Sequence, residues 1–310
     1  GLFRGAGLST VGASVGDINK DTILDFVTAE RVVHVDISNL KPEDEPNQVF
    51  LGTGIGFETA NHLVPKGLDL GYTFVSSLID IDADMWPDLF FLNDFLGYLG
   101  NVMLRNSAEV GVTFSDVSQS TFLGAPAASM GLGISDINRD QVPDFIVSTW
   151  SQPKLFESDG AGSWMETQTL RGLSHQIPKD VGDGVYAMWA VEFADMNNDG
   201  KMDVAILGGT VMTNNEISLN PMEQPDFMWL REGPMFVDVS REWDFDHTAV
   251  NRGMVVTDMN GDGWLDILKR NINGLPIVQY SRCGENTWIK VSLHDETMNR
   301  RAIGAVVEVF

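Results

Sequence analysis

Residues 258–271 read DMNGDGWLDILKRN: Asp258, Asn260 and Asp262 stand two apart, Gly263 follows, and Asp266 comes four residues after Asp262, just before the chain turns apolar. Side chains at alternate positions of a tight turn can point at one centre. With the carbonyl of Trp264 and the carboxylate of Asp266 they make an all-oxygen shell. Calcium takes six to eight such ligands at roughly 2.3–2.6 Å, whereas magnesium prefers fewer carboxylates and more water. The loop has no His or Cys, which argues against zinc, copper and iron–sulfur chemistry.

The pattern occurs five times, starting at residues 17, 80, 136, 195 and 258, at steps of 63, 56, 59 and 63 residues. Numbering each loop from its first Asp, positions 1, 3, 5, 7 (backbone carbonyl) and 9 give the candidate ligands. They are Asp17, Asn19, Asp21, Ile23 and Asp25 in loop one, and Asp80, Asp82, Asp84, Trp86 and Asp88 in loop two. Loop three offers Asp136, Asn138, Asp140, Val142 and Asp144; loop four Asp195, Asn197, Asp199, Lys201 and Asp203; loop five Asp258, Asn260, Asp262, Trp264 and Asp266. One such loop would read as an ordinary polar turn, but five with Asp fixed at 1, 5 and 9 do not. They hold 16 of the 44 acidic residues, and carboxylates crowded this way repel one another without a cation. Up to five Ca2+ ions are therefore expected. Loops four and five (195–203 and 258–266) rank first, because Gly200 and Gly263 accept the positive φ of a sharp turn at position 6. Thr22, Met85 and Gln141 stand there in the other loops, where strain or altered geometry is expected. An EF-hand is excluded: it needs Glu at position 12 and a following helix, whereas position 12 here is Thr28, Phe91, Val147, Ile206 or Lys269, inside an apolar run.

The elements that hold such loops are strands. Before each loop lies a short run of apolar or small residues (GASVG, VSSLI, GLGIS, AVEFA, GMVVT), and after it a run rich in β-formers (FVTAE, LFFLN, FIVST, VAILG, ILKRN). Runs of four to eight residues bounded by turn chemistry predict strands, so each loop joins a hairpin. A second hairpin is predicted over 48–60, 101–118, 153–167 and 226–240. Four strands per ~60-residue repeat predict an all-β fold, a β-propeller of four-stranded blades. Five repeats are visible, with five to seven blades expected in the intact molecule. The long insertions after the second strand of repeats one and four are candidates for partner contact.

The formal charge of −24 disfavours nucleic acid and anionic membranes, and no run of 18 apolar residues predicts a membrane span. The single cysteine, Cys283, rules out an intrachain disulfide framework, and reads as a small buried residue. The five histidines have no ligand spacing, and no nucleophile elbow, phosphate loop or HExxH helix occurs. No catalytic or organic-cofactor residue is identified. Of the eight tryptophans, most are expected to pack between blades.

Loops and flanks together resemble the FG-GAP/VCBS repeat of integrin-α-like β-propellers, over roughly residues 9–282, with FSDVS (114–118) and FVDVS (236–240) resembling the close of the repeat. The tail, NTWIKVSLHDETMNRRAIGAVVEVF (286–310), resembles the opening of an ASPIC/UnbV domain of the cartilage acidic protein-like kind, through Trp288, Leu293, Asn299, Arg300, Ala302, Ile303, Gly304 and Ala305. The implied organisation is a propeller over 1–282 and a truncated β domain over 283–310. The resemblance implies a calcium-stabilised, secreted module, extracellular, at the cell surface or periplasmic. It would be a non-enzymatic binding, adhesion or scaffold protein with a protein or glycan partner. An accessory subunit of a larger surface assembly and a polysaccharide-acting enzyme are the alternatives. Export with a signal peptide upstream of Gly1 is expected, because weak calcium loops fill only where calcium is abundant, ~10⁻⁴–10⁻³ M.

Overall fold

The computed structural model describes residues 10–30, 46–94, 99–109, 111–174, 186–210, 223–272, 274–281, 284–296, 300, 302, 305 and 307. Most of both long insertions, Cys283, and Asn299, Ile303 and Gly304 of the tail lie outside them. The chain forms two compact units, Gly1–Ser129 with Val291–Phe310, and Met130–Lys290.

In the first unit, β1 (Thr10–Gly16), β2 (Asp25–Glu30), β3 (Gln48–Gly52) and β4 (Phe57–Thr59) form blade one. Blade two is β5 (Thr73–Ile79), β6 (Asp88–Asn93), β7 (Val102–Asn106) and β8 (Phe114–Asp116). The second unit holds blade three, β9 (Gly131–Ser135), β10 (Asp144–Ser148), β11 (Lys154–Ser158) and β12 (Trp164–Glu166), and blade four, β13 (Met188–Ala194), β14 (Asp203–Gly208), β15 (Phe227–Glu232) and β16 (Met235–Asp238). Blade five is β17 (Asn251–Thr257), β18 (Asp266–Asn271) and β19 (Ile277–Gln279), a three-stranded sheet among the described residues. Every pairing is antiparallel between consecutive strands. The expected all-β fold with β-propeller blades is what the chain adopts.

Each blade is ordered by the burial of its strands. β6, β10 and β14 are buried at every residue, which explains their unbroken apolar runs: both faces of the second strand are covered. First strands are only partly buried, and lie beside the first strand of the next blade, β1 against β5 and β13 against both β9 and β17. That approach needs small residues. A Cβ on Gly12 would sit 2.9 Å from the carbonyl oxygen of Phe74. A register shift recurs near the start of four first strands, at Thr10/Gly12, Thr73/Val75, Met188/Val191 and Asn251/Gly253, a bulge that twists the strand locally. Between blades one and two the core holds Val27, Val49, Leu89, Phe91 and Leu104. Between three and four it holds Ile146, Leu155, Tyr186, Val204 and Trp229.

Candidate metal centre

All five acidic loops join the first strand of a blade to the second, and all five adopt one backbone form. Position 4 is left-handed in each: Lys20 (φ 55), Ala83 (59), Arg139 (65), Asn198 (55) and Gly261 (81). So is position 6: Thr22 (73), Met85 (68), Gln141 (70), Gly200 (81) and Gly263 (86). The non-glycine residues at position 6 therefore do not alter the turn, and their cost is backbone strain.

Hydrogen bonds explain the conformation. In loop five, Asp262 N–H donates to Asp258 Oδ1 (3.0 Å) and to Asn260 Oδ1 (2.9 Å), Gly263 N–H to Asp258 Oδ2 (3.0 Å), and Trp264 N–H to Asp262 Oδ1 (2.9 Å). Loop one repeats this through Asp17, Asn19 and Asp21, loop three through Asp136, Asn138 and Asp140, and loop four through Asp195, Asn197 and Asp199. These short side chains fold the loop around themselves, as Asx turns do.

Position 9 has a separate task. Asp25, Asp88, Asp144, Asp203 and Asp266 are fully buried. One carboxylate oxygen of each accepts the N–H of position 2, from Ile18, Ile81, Ile137, Met196 or Met259. The other accepts an N–H from the third strand or its end, from Gly52, Asn106, Ser158, Arg231 or Ser281. This Asp thus ties the loop to the third strand of its own blade. Burial pushes the carboxyls of Asp25 and Asp144 up to about 6, and those of Asp88 and Asp203 up to about 7, against the backbone N–H bonds that lower them.

Loop two departs from the rest. Asp84 N–H reaches only Asp82 Oδ1, at 3.4 Å, and Asp80 Oδ1 is buried with no hydrogen-bond partner. Carboxylate oxygens of Asp80, Asp82 and Asp88 lie within 4.8 Å of one another, the one such cluster of three among the described residues. Asp84 stands outside it. Desolvation, then Asp84, push Asp82 up, offset by Arg105, whose Nε lies 3.2 Å from Asp82 Oδ2. An orphaned carboxylate oxygen among three acids, with hard oxygen donors throughout, fits a divalent cation such as calcium. In the other loops position 3 is an amide, so positions 1, 3 and 9 offer two carboxylates and one carbonyl oxygen. In loop four Lys201 Nζ bonds Asp199 Oδ2 at 2.8 Å, so a cation there would compete with an ammonium for Asp199.

Position 4 was silent in the sequence, because Lys, Ala, Arg, Asn and Gly share no chemistry. In the structure the side chains of Lys20, Arg139 and Asn198 link successive loops within a unit. Lys20 Nζ lies 4.7 Å from the Trp86 ring centroid of loop two. Arg139 Nη2 donates to Gly200 O of loop four (3.3 Å), and Asn198 Nδ2 to Gly263 O of loop five (3.1 Å). A second feature missed by the sequence is the ion pair of Lys269 with Asp226, 2.9 Å apart and fully buried.

Blades of four antiparallel strands hinged on an acidic loop define the class as a β-propeller. Residues 136–206, from the start of loop three into β14, match the FG-GAP-like repeat family. No curated protein matches the chain in sequence. Among solved structures, an Agrocybe aegerita lectin specific for non-reducing terminal N-acetylglucosamine is 15% identical with a TM-score of 0.44, over 86% of this chain and 65% of the lectin. The V. cholerae biofilm matrix protein Bap1 is 14% identical with a TM-score of 0.32, over 88% of this chain and 31% of Bap1. An endo-arabinase from Bacteroides thetaiotaomicron is 10% identical with a TM-score of 0.38, over 91% and 97%. The chain thus spans less than two-thirds of the lectin and less than one-third of Bap1. Likeness at this level carries no argument about function. No helix among the described residues is long and apolar enough to cross a membrane.

Proposed function

We propose that the chain is a calcium-stabilised binding or scaffold module working outside the cytoplasm, at a cell surface, in a periplasm or secreted, with a protein or glycan partner. The observation that carries the calcium reading is Asp80 Oδ1, buried and unpartnered beside Asp82 and Asp88, in a loop whose backbone form recurs four more times. Calcium at Asp80, Asp82 and Asp88, and in the sister loops at positions 1, 3, 5 and 9, would neutralise buried carboxylates and pin each hairpin. The role is structural, because the loops join strands. The proposal includes no catalytic group, and the tail from residue 283 is read as the opening of an ASPIC/UnbV-like domain.

Binding to the folded state alone stabilises by RT ln(1 + [L]/Kd), about 2.7 kcal/mol per site at a hundredfold excess over Kd. Calorimetric melting in millimolar calcium and in excess EGTA is the test, with metal content measured in both. A melting temperature lowered by several degrees in EGTA is expected. A metal-free protein that melts where the calcium-loaded protein does would refute the reading.

A further inference from the structure

Among the described residues blade five lacks the fourth strand that its four sisters have, and its third strand shows the consequence. Val278 occupies the register position of Val49, Met103, Leu155 and Met228. Those four are 0–2% exposed, and Val278 is 44% exposed. In each filled blade the backbone of that residue is satisfied from the outer side. Its carbonyl accepts an N–H from Ala60, Val117, Thr167 or Val239. Its own N–H donates to the next side chain along, Asn61, Ser118, Gln168 or Ser240. Beside β19 lies a cavity of about 400 Å³ lined by Trp243, Phe245, Gln279 and Tyr280, with Glu242 and Asp244 among its walls. Gln279 Oε1 is buried with no hydrogen-bond partner.

The filled blades specify what belongs there. Their fourth strands and the residues after them read FETAN (57–61), FSDVS (114–118), WMETQ (164–168) and FVDVS (236–240). Each begins with an aromatic residue opposite the one whose N–H serves the position-9 Asp: Phe57 with Gly52, Phe114 with Asn106, Trp164 with Ser158, Phe236 with Arg231. The chain holds a fifth copy, WIKVS at 288–292, seven residues beyond Ser281, where the other gaps are five, eight, six and five. These residues form no strand among those described, and Ile289 is 71% exposed. The approach to the copy is already made. Asn286 Nδ2 donates to Asn197 O at 2.9 Å, and the Trp288 ring lies over Gly263, filling the space a Cβ there would take. Trp164 likewise sits on its own loop, its Nε1 donating to Pro143 O at 2.8 Å.

We propose that Trp288–Lys290 is the fourth strand of blade five, adding antiparallel to β19 with Trp288 opposite Ser281, Ile289 opposite Tyr280 and Lys290 opposite Gln279. Charge supports this occupant over an arbitrary strand. At the place of Lys290 the other blades carry Thr59, Asp116, Glu166 or Asp238, opposite an apolar Phe50, Leu104, Phe156 or Trp229. Only blade five pairs a lysine with a glutamine. Facing residues of a pair project to the same side, so the ammonium enters the cavity that holds the orphaned Gln279 oxygen and the carboxylates of Glu242 and Asp244. The propeller would end at residue 290 instead of 282, which takes Trp288 out of the ASPIC/UnbV-like reading of the tail, and the strand would cap the open edge, which otherwise invites pairing with another chain.

The register can be trapped chemically. In a Cys283→Ser background, Gln279→Cys with Lys290→Cys places two thiols directly opposite, roughly 4.5–5.5 Å apart at Cβ, within disulfide reach. The control, Gln279→Cys with Ile289→Cys, puts them on opposite faces. Under mild oxidation at high dilution, mass spectrometry should show an intrachain disulfide forming at least about tenfold faster in the first variant. Equal rates, or interchain species alone, would overturn the proposal, the latter pointing to a second copy as the occupant. On the unaltered chain, amide exchange at Tyr280 should be slowed about a hundredfold or more, as at Leu230, which pairs with Val237 in blade four. Exchange at Tyr280 at the free-peptide rate, with Leu230 protected, would also overturn it.

Discussion

Position 6 of the loops is a natural experiment in backbone strain. The same left-handed turn is made by Gly200 and Gly263 and by Thr22, Met85 and Gln141. A left-handed conformation costs an L-residue roughly 1–2 kcal/mol, and a β-branched one most, while glycine returns part of this through its freer unfolded state. Thr22→Gly should therefore stabilise the protein by about 1 kcal/mol. Gly200→Ala should destabilise it by a similar amount, although a Cβ at Gly200 meets nothing within 4 Å. Urea unfolding in saturating calcium checks both, and a neutral Gly200→Ala would show that the turn relaxes. At this scale the sequence was legible where chemistry repeats: Asp at 1, 5 and 9 and the oxygen side chain at 3 all take part in one loop geometry. It was silent where conformation repeats without chemistry, as at position 4, where five unlike residues share a positive φ. Nor did it separate the tasks of the aspartates. Position 9 binds two backbone N–H groups, one from its own loop and one from the third strand or its end, a fact that depends on where the third strand comes to lie.

The hairpins were readable because acidic turns punctuate runs of β-formers, and the second strands because burial on both faces demands uninterrupted apolar residues. The bulges left no such trace, since their form is set by contact with neighbours. Contact between blades also hides in the buried pair of Asp226, just before β15, and Lys269, in β18. Lys269 Nζ donates to Asp226 Oδ2, lies 3.6 Å from the Phe245 ring centroid, and has 0% exposure. Burial pushes Lys269 down and Asp226 up, and each offsets the other. Asp226 also accepts the Gly208 N–H at 2.9 Å, the service done for Glu30 and Asn93 by neutral Asn47 and Asn101. Removing one partner of a buried pair costs about 3–5 kcal/mol, whereas replacing both can be nearly neutral. Lys269→Met should therefore be strongly destabilising, and Lys269→Met combined with Asp226→Asn should recover most of the loss, measured by denaturant midpoints. A double variant no more stable than the single would show that the two residues act separately.

For the whole molecule, the buried carboxylates set the response to pH. Asp25, Asp88, Asp144 and Asp203 hold protons more tightly in the folded chain, at about 6 to 7, than at their ordinary 3.8. Between those limits the folded state binds more protons than the unfolded, so stability falls as pH rises. Metal-free protein should melt at a higher temperature at pH 5 than at pH 8, and calcium should raise the pH 8 value more, since it binds the deprotonated form. A metal-free protein more stable at pH 8 would contradict this. The order of the blades was legible from the five-fold period alone, while the side chains that brace one loop against the next were not. Those braces, Lys20 on Trp86, Arg139 on Gly200 and Asn198 on Gly263, each reach one step along the row and no further. A structure whose parts depend only on their immediate neighbours behaves as a one-dimensional array. Its lineage could lengthen or shorten by duplicating or deleting a whole repeat, and selection would then need to repair only the two seams.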